Sequence, residues 1–173
     1  MDRPEPWLRG SLTDVPAVQR AGLHALEMAD EDLNRWCANL DQEQLYARPR
    51  QIASVAFHIR HIAGSIDRLL TYAEGRSLSA EQYAALRSES STDCAKEAIF
   101  AELGAALESA RSRIRAFSAG SLEAPRTVGR KAMPTTIGGL LVHIAEHTSR
   151  HVGQAITTAK IVMGKQTQTE LAD

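Results

Sequence analysis

Four long stretches of helix-period apolar spacing, set apart by proline- and glycine-bearing segments, constrain this chain more than any other feature. Leu23, Leu26 and Leu33 mark the first, expected from about Asp14 to Asn39, with Pro16 in the first turn, where proline is tolerated. Pro49 breaks the chain after it. The second, "SVAFHIRHIAGSIDRLLTYA", runs from about Ser54 to Ala73, with Val55, Ile59, Ile62, Ile66 and Leu69 in the 3–4 rhythm. Ser54 suits its N-cap and Gly75 its C-terminal stop.

A connection with one short helix, Ala80 to Arg87, follows. The third long helix is expected from about Asp93 to Ser118, with Ile99, Leu103, Leu107, Ile114 and Phe117 inward. "AGSLEAPRTVGRKAMPTT" carries Gly120, Pro125, Gly129 and Pro134, and reads as a long crossover linker or a loop over a site. The last helix is expected to start after Pro134, with Thr135 or Thr136 as N-cap, and to end near Met163, closed by Gly164 and the polar tail. Four helices of this length predict an all-α four-helix bundle, a single domain over residues 1–173, with a crossover linker before the last helix. Composition agrees: the chain is rich in Ala and Leu, and only 5% aromatic.

Charge and hydropathy narrow the function classes. Lys plus Arg number 20 and Asp plus Glu 21, so the chain lacks the basic excess of a broad nucleic-acid surface. The most apolar run, "IGGLLVHIA", is too short to span a bilayer, and the start "MDRPEPWLRG" has no apolar leader core. Cys37 and Cys94 have neither metal nor redox spacing and fit a reducing compartment. No nucleic acid, no membrane and a cytoplasmic location are the expectations.

Half of the six histidines fall in "HIAEHTSRHVGQ", as His143, His147 and His151. Residues four apart on a helix share a face, about 6 Å apart along the axis, within reach of one ion. Across eight residues the rise is about 12 Å, so His143 and His151 do not share an ion. Leu140, Leu141, Ile144, Thr148, Val152 and Ala155 define the inward face; His151 lies nearest to it and His143 furthest. His147 and His151 are the candidate ligands from this helix. The second helix offers His58 and His61 as a third: the helical wheel favours His58, while His61 falls on a flank with Ser54, Ser65 and Arg68. Three imidazoles with an open position are a catalytic rather than a closed structural pattern. Each ligand's other ring nitrogen needs a partner, for which Gln154 is a candidate. Glu146 faces the polar side, and His24 reads as an ordinary residue of the first helix.

"HTSRHVGQ" following "GGLLVHIAE" resembles the fourth-helix signature of the DinB/YfiT-like family, HxxxH with a Gly-Gln-like pair after it. "FHIRHIAGSIDRLL" resembles that family's second-helix signature, in which the ligand histidine directly precedes an aliphatic-Ala pair. The resemblance covers most of the chain. It implies a four-helix bundle, often dimeric, holding a divalent ion on three histidines. Carried over position by position, these are His61, His147 and His151: His61 precedes Ile62 and Ala63, and His58 does not precede such a pair. Zinc or nickel is the expected ion, with iron or manganese as further options.

Some relatives are thiol-dependent transferases or isomerases using the low-molecular-weight thiols mycothiol or bacillithiol. The expectation is a metal-dependent transferase or hydrolase that acts on a small molecule through a metal-activated thiol or water, as a homodimer. The alternative is a non-catalytic metal- or small-ligand-binding module of a stress response. A metal-free helical interaction protein is a third reading. The sequence assigns no general base. Arg68, Arg126 and Arg150 are available to an anionic substrate, and Cys94 reads as an N-terminal residue of the third helix rather than a nucleophile.

Overall fold

A computed structural model of the chain describes residues 3–170, with side chains described for residues 3–164. The helices are α1 (Ala17–Cys37), α2 (Gln42–Tyr46), α3 (Val55–Ala73), α4 (Ala80–Ser88), α5 (Lys96–Ala116) and α6 (Ile137–Glu170). Between α5 and α6 lies a hairpin of β1 (Pro125–Val128) and β2 (Met133–Thr136). The four long helices close a ring: α6 packs against α1 and α3, and α5 packs against α3 and α1. The fold is all-α apart from this hairpin.

The periodic apolar positions build the core. Leu26, Leu33, Ile59, Ile62, Ile66, Ile99, Leu103, Leu107 and Ile114 are all almost wholly buried, with Leu141, Ile144 and Ala155 joining from α6. Leu69 and Phe117, expected inward, are only partly buried against that cluster.

Local chemistry sets the ends of α3, which carries two histidines. Ser54 caps its start, its Oγ accepting from Phe57 N at 3.2 Å. At the other end Gly75 takes φ +76, and the amides of Gly75 and Arg76 donate to the carbonyls of Tyr72 and Thr71. This is a Schellman closure, which needs a left-handed residue just past the helix. Thr136 caps α6, its Oγ1 accepting from Gly139 N at 3.0 Å.

Two expectations are corrected. The segment before the last helix is not a plain crossover: it pairs antiparallel, Pro125 with Thr136 through Val128 with Met133. Its turn is closed by Gly129 at φ +70 and by the Ala132 amide bonding to the Gly129 carbonyl. Neither strand alternates apolar and polar residues, so nothing periodic marked it. The last helix, expected to end near Met163, continues to Glu170. Glycine in a helix interior costs about 1 kcal/mol, and it ends a helix only where it turns left-handed; Gly164 does not. No described helix is long and apolar enough to cross a membrane.

Candidate metal centre

The α3–α6 seam brings His61, His147 and His151 together. One ring nitrogen from each lies within 4.8 Å of the other two, an arrangement that could hold a metal ion. The Nε2 atoms of His61 and His147 are 3.0 Å apart. Two imidazole nitrogens on one tetrahedral zinc, at about 2.0–2.1 Å each, would stand roughly 3.3 Å apart, so the rings are close to ligating geometry. All three residues are partly buried, at the margin of the core.

Two of the three have a partner on a further ring nitrogen. His61 Nδ1 lies 2.7 Å from Glu89 Oε2. His151 Nδ1 lies 3.0 Å from His58 Nδ1, which leaves His151 Nε2 for an ion. Phe57 stacks on His61 with the ring planes 14° apart. These contacts fix ring orientation before any ion arrives.

Burial and the mutual repulsion of neighbouring imidazoles disfavour protonation. His147 and His151 are both pushed down to about 4, first by burial and then by the surrounding histidines and Arg150. His58 is lowered as well, by burial and then by His61. At neutral pH these imidazoles present lone pairs, as metal ligands must. The donor set therefore fits a divalent metal ion.

His58, favoured by the helical wheel, is the more deeply buried of the two α3 histidines, at 5% exposure. It lies behind His151 rather than in the three-histidine group. The inward direction of the helix leads past the convergence point, which sits toward the bundle surface. His143 is about half exposed and pairs with Glu146 at 3.7 Å, while Glu146 also accepts from Arg150 on the solvent side. Gln154 is exposed, and the carboxylate beside His61 is instead Glu89, from the turn after α4. That segment reads as a polar connection, and no local pattern singles out Glu89. His24 is buried on α1 beside Ser11 Oγ, at 3.3 Å.

Arg68, which the sequence offers to an anionic substrate, is instead buried and ion-paired with Glu89 Oε1 at 2.8 Å. Arg126 donates to the Ala73 carbonyl. Cys94 precedes α5, and its carbonyl accepts from Tyr46 and Gln42. Cys37 is buried, its thiol pushed up to about 12 by burial; both cysteines are free.

A cavity of about 350 Å³ opens onto the histidines. His61, His147 and His143 line one part; Leu69, Leu78, Leu86, Tyr72 and Tyr83 supply apolar and aromatic wall. Gly129 and Arg130 from the hairpin turn complete the lining, the Arg130 guanidinium lying 5.8 Å from the Tyr83 ring centre. The hairpin thus contributes to the wall beside the histidines.

A sequence model of the DinB superfamily matches residues 25–155, a span that contains all three converging histidines. The chain belongs to that superfamily. No curated protein and no solved structure matches it.

Proposed function

We propose that this DinB-superfamily chain holds one divalent ion on His61, His147 and His151, zinc or nickel before iron or manganese. We further propose that it uses the ion in a transferase or hydrolase reaction on a small molecule. The observation that carries this reading is three converging imidazoles, two of which line a substrate-sized cavity. When bound, such an ion lowers the pKa of a thiol or water and stabilises developing negative charge.

The chain's own groups account for the rest. The cavity wall of Leu69, Leu78, Leu86 and Tyr72 offers apolar surface to the body of a substrate. Arg130, held over Tyr83, offers a cation to an anionic group on it. His143, on the same wall, is placed to carry a proton. The same three donors would serve a non-catalytic binder; the adjoining cavity is what favours chemistry. A cytoplasmic homodimer of single-domain subunits completes the proposal, on the family resemblance and on small alanine side chains that allow helices close approach.

Metal analysis of protein purified without an affinity tag, followed by a thiol-transfer screen, tests the reading. About one ion per chain is expected. Less than a tenth of an ion after incubation with zinc or nickel would overturn it. Sedimentation that finds only the 18.9 kDa species at micromolar concentration would overturn the dimer.

A further inference from the structure

We propose that Glu89 is the positioning residue of this metal centre, and that the excursion through α4 exists to deliver it. Glu89 fixes His61 in the Nδ1–H tautomer, so that the Nε2 lone pair faces the ion. The inference rests on the metal-binding reading above.

Glu89 is 5% exposed and comes from a turn remote from α3 in sequence. A buried carboxylate is tolerated only with partners. Glu89 has one on each oxygen: His61 Nδ1 at 2.7 Å on Oε2 and Arg68 Nη1 at 2.8 Å on Oε1. A carboxylate ion-paired with a guanidinium is an acceptor, so the proton between Glu89 and His61 sits on Nδ1. An imidazole that keeps Nδ1–H presents its lone pair on Nε2. That is the atom 3.0 Å from His147 Nε2.

The turn itself is gripped. Buried Arg60 donates to the carbonyls of Ser88 and Ser91 and to Ser88 Oγ, on either side of Glu89. Gln82 ties α4 to α3 by donating to Asp67 and Thr71. Gly64 makes the clearance: a Cβ there would lie 2.6 Å from Arg68 Nη1 and 2.8 Å from Glu89 Oε1. So in "RHIAGSIDR" one helix carries the ligand His61, the clamps Arg60 and Arg68, and the gap at Gly64.

The test uses full-length protein. Long-range proton–nitrogen spectra of the metal-free chain report the His61 tautomer, and competition with a chromophoric chelator reports zinc affinity. Wild type should show Nδ1–H at His61. Glu89→Ala should release the ring toward Nε2–H and weaken zinc binding about 10- to 100-fold. Because Glu89→Ala strands Arg68, the double variant Glu89→Leu/Arg68→Met, which removes both charges and the acceptor on His61 Nδ1, is measured alongside it and should show the same weakening. Circular dichroism establishes that each variant is folded. Wild-type His61 in the Nε2–H form, or a folded double variant that binds zinc within about twofold of wild type, would overturn the assignment. Failure of the metal reading looks different: wild type would bind zinc no more tightly than His147→Ala, and the metal role of Glu89 would fall with it.

Discussion

Replacing Arg68 by Met should cost the metal-free protein about 3 kcal/mol, for reasons visible in the Arg68–Glu89 pair. The charged atoms are 2.8 Å apart, with the side chains 10% and 6% exposed. At an effective dielectric of about 20, two unit charges at that distance attract by about 6 kcal/mol. Desolvation takes back much of this when the pair forms. Removing one member returns none of the other's desolvation cost, and such changes cost about 3–5 kcal/mol. Glu89 would keep its bond to His61, which places the effect at the lower end. Glu89→Gln, which strands the arginine, should cost about as much.

The double variant should be no less stable than either single variant, giving a coupling of about 3 kcal/mol, because a buried ion pair can be replaced by neutral groups at little net cost. For a chain of this size each single change lowers Tm by about 6–12 °C. Urea unfolding in the presence of a chelator measures all four corners of the cycle. Single-variant effects below about 0.5 kcal/mol, or a double variant that simply adds them, would refute the reasoning.

Three further outcomes are expected. His147→Ala should remove most bound metal, since its Nε2 lies 3.0 Å from His61 Nε2, whereas His143→Ala should leave the stoichiometry near that of wild type; elemental analysis decides. The metal-free protein should lose stability as pH falls from about 6.5 to about 4. The sign follows from His147 and His151, whose folded-state values are depressed to about 4: over that window the unfolded chain binds protons that the folded chain refuses. Flat urea midpoints between pH 7 and 4.5 would contradict it. Ser54→Ala should cost about 1 kcal/mol by removing the cap of α3, and a chemical denaturation series that shows no loss would mean the Phe57 amide finds another acceptor.

Much of this architecture is legible from short-range pattern. Leu26 and Leu33, Ile59 and Ile62, Leu103 and Leu107 announce their helices because burial on one face repeats every three to four residues. Ser54, Gly75 and Thr136 mark helix ends through bonds to residues only a few positions away. The His147–His151 pair is equally local, set by helical rise alone. The hairpin at 125–136 escaped because its strands are short and turn no regular apolar face to the core.

The sequence by itself, then, determines the helices, their apolar faces and a histidine pair at chelating distance, because each depends on residues within about two turns of one another. Tertiary structure alone decides that His61 meets His147 while His58 stands behind His151, since this depends on how α3 is rotated and set against α6. It alone brings Glu89 from an unremarkable polar turn to a bond with His61, 28 residues earlier in the chain. A helical wheel ranks depth along one axis. Convergence on a point is a property of two packed helices and the turn gripped beside them, and no window of local sequence contains all three.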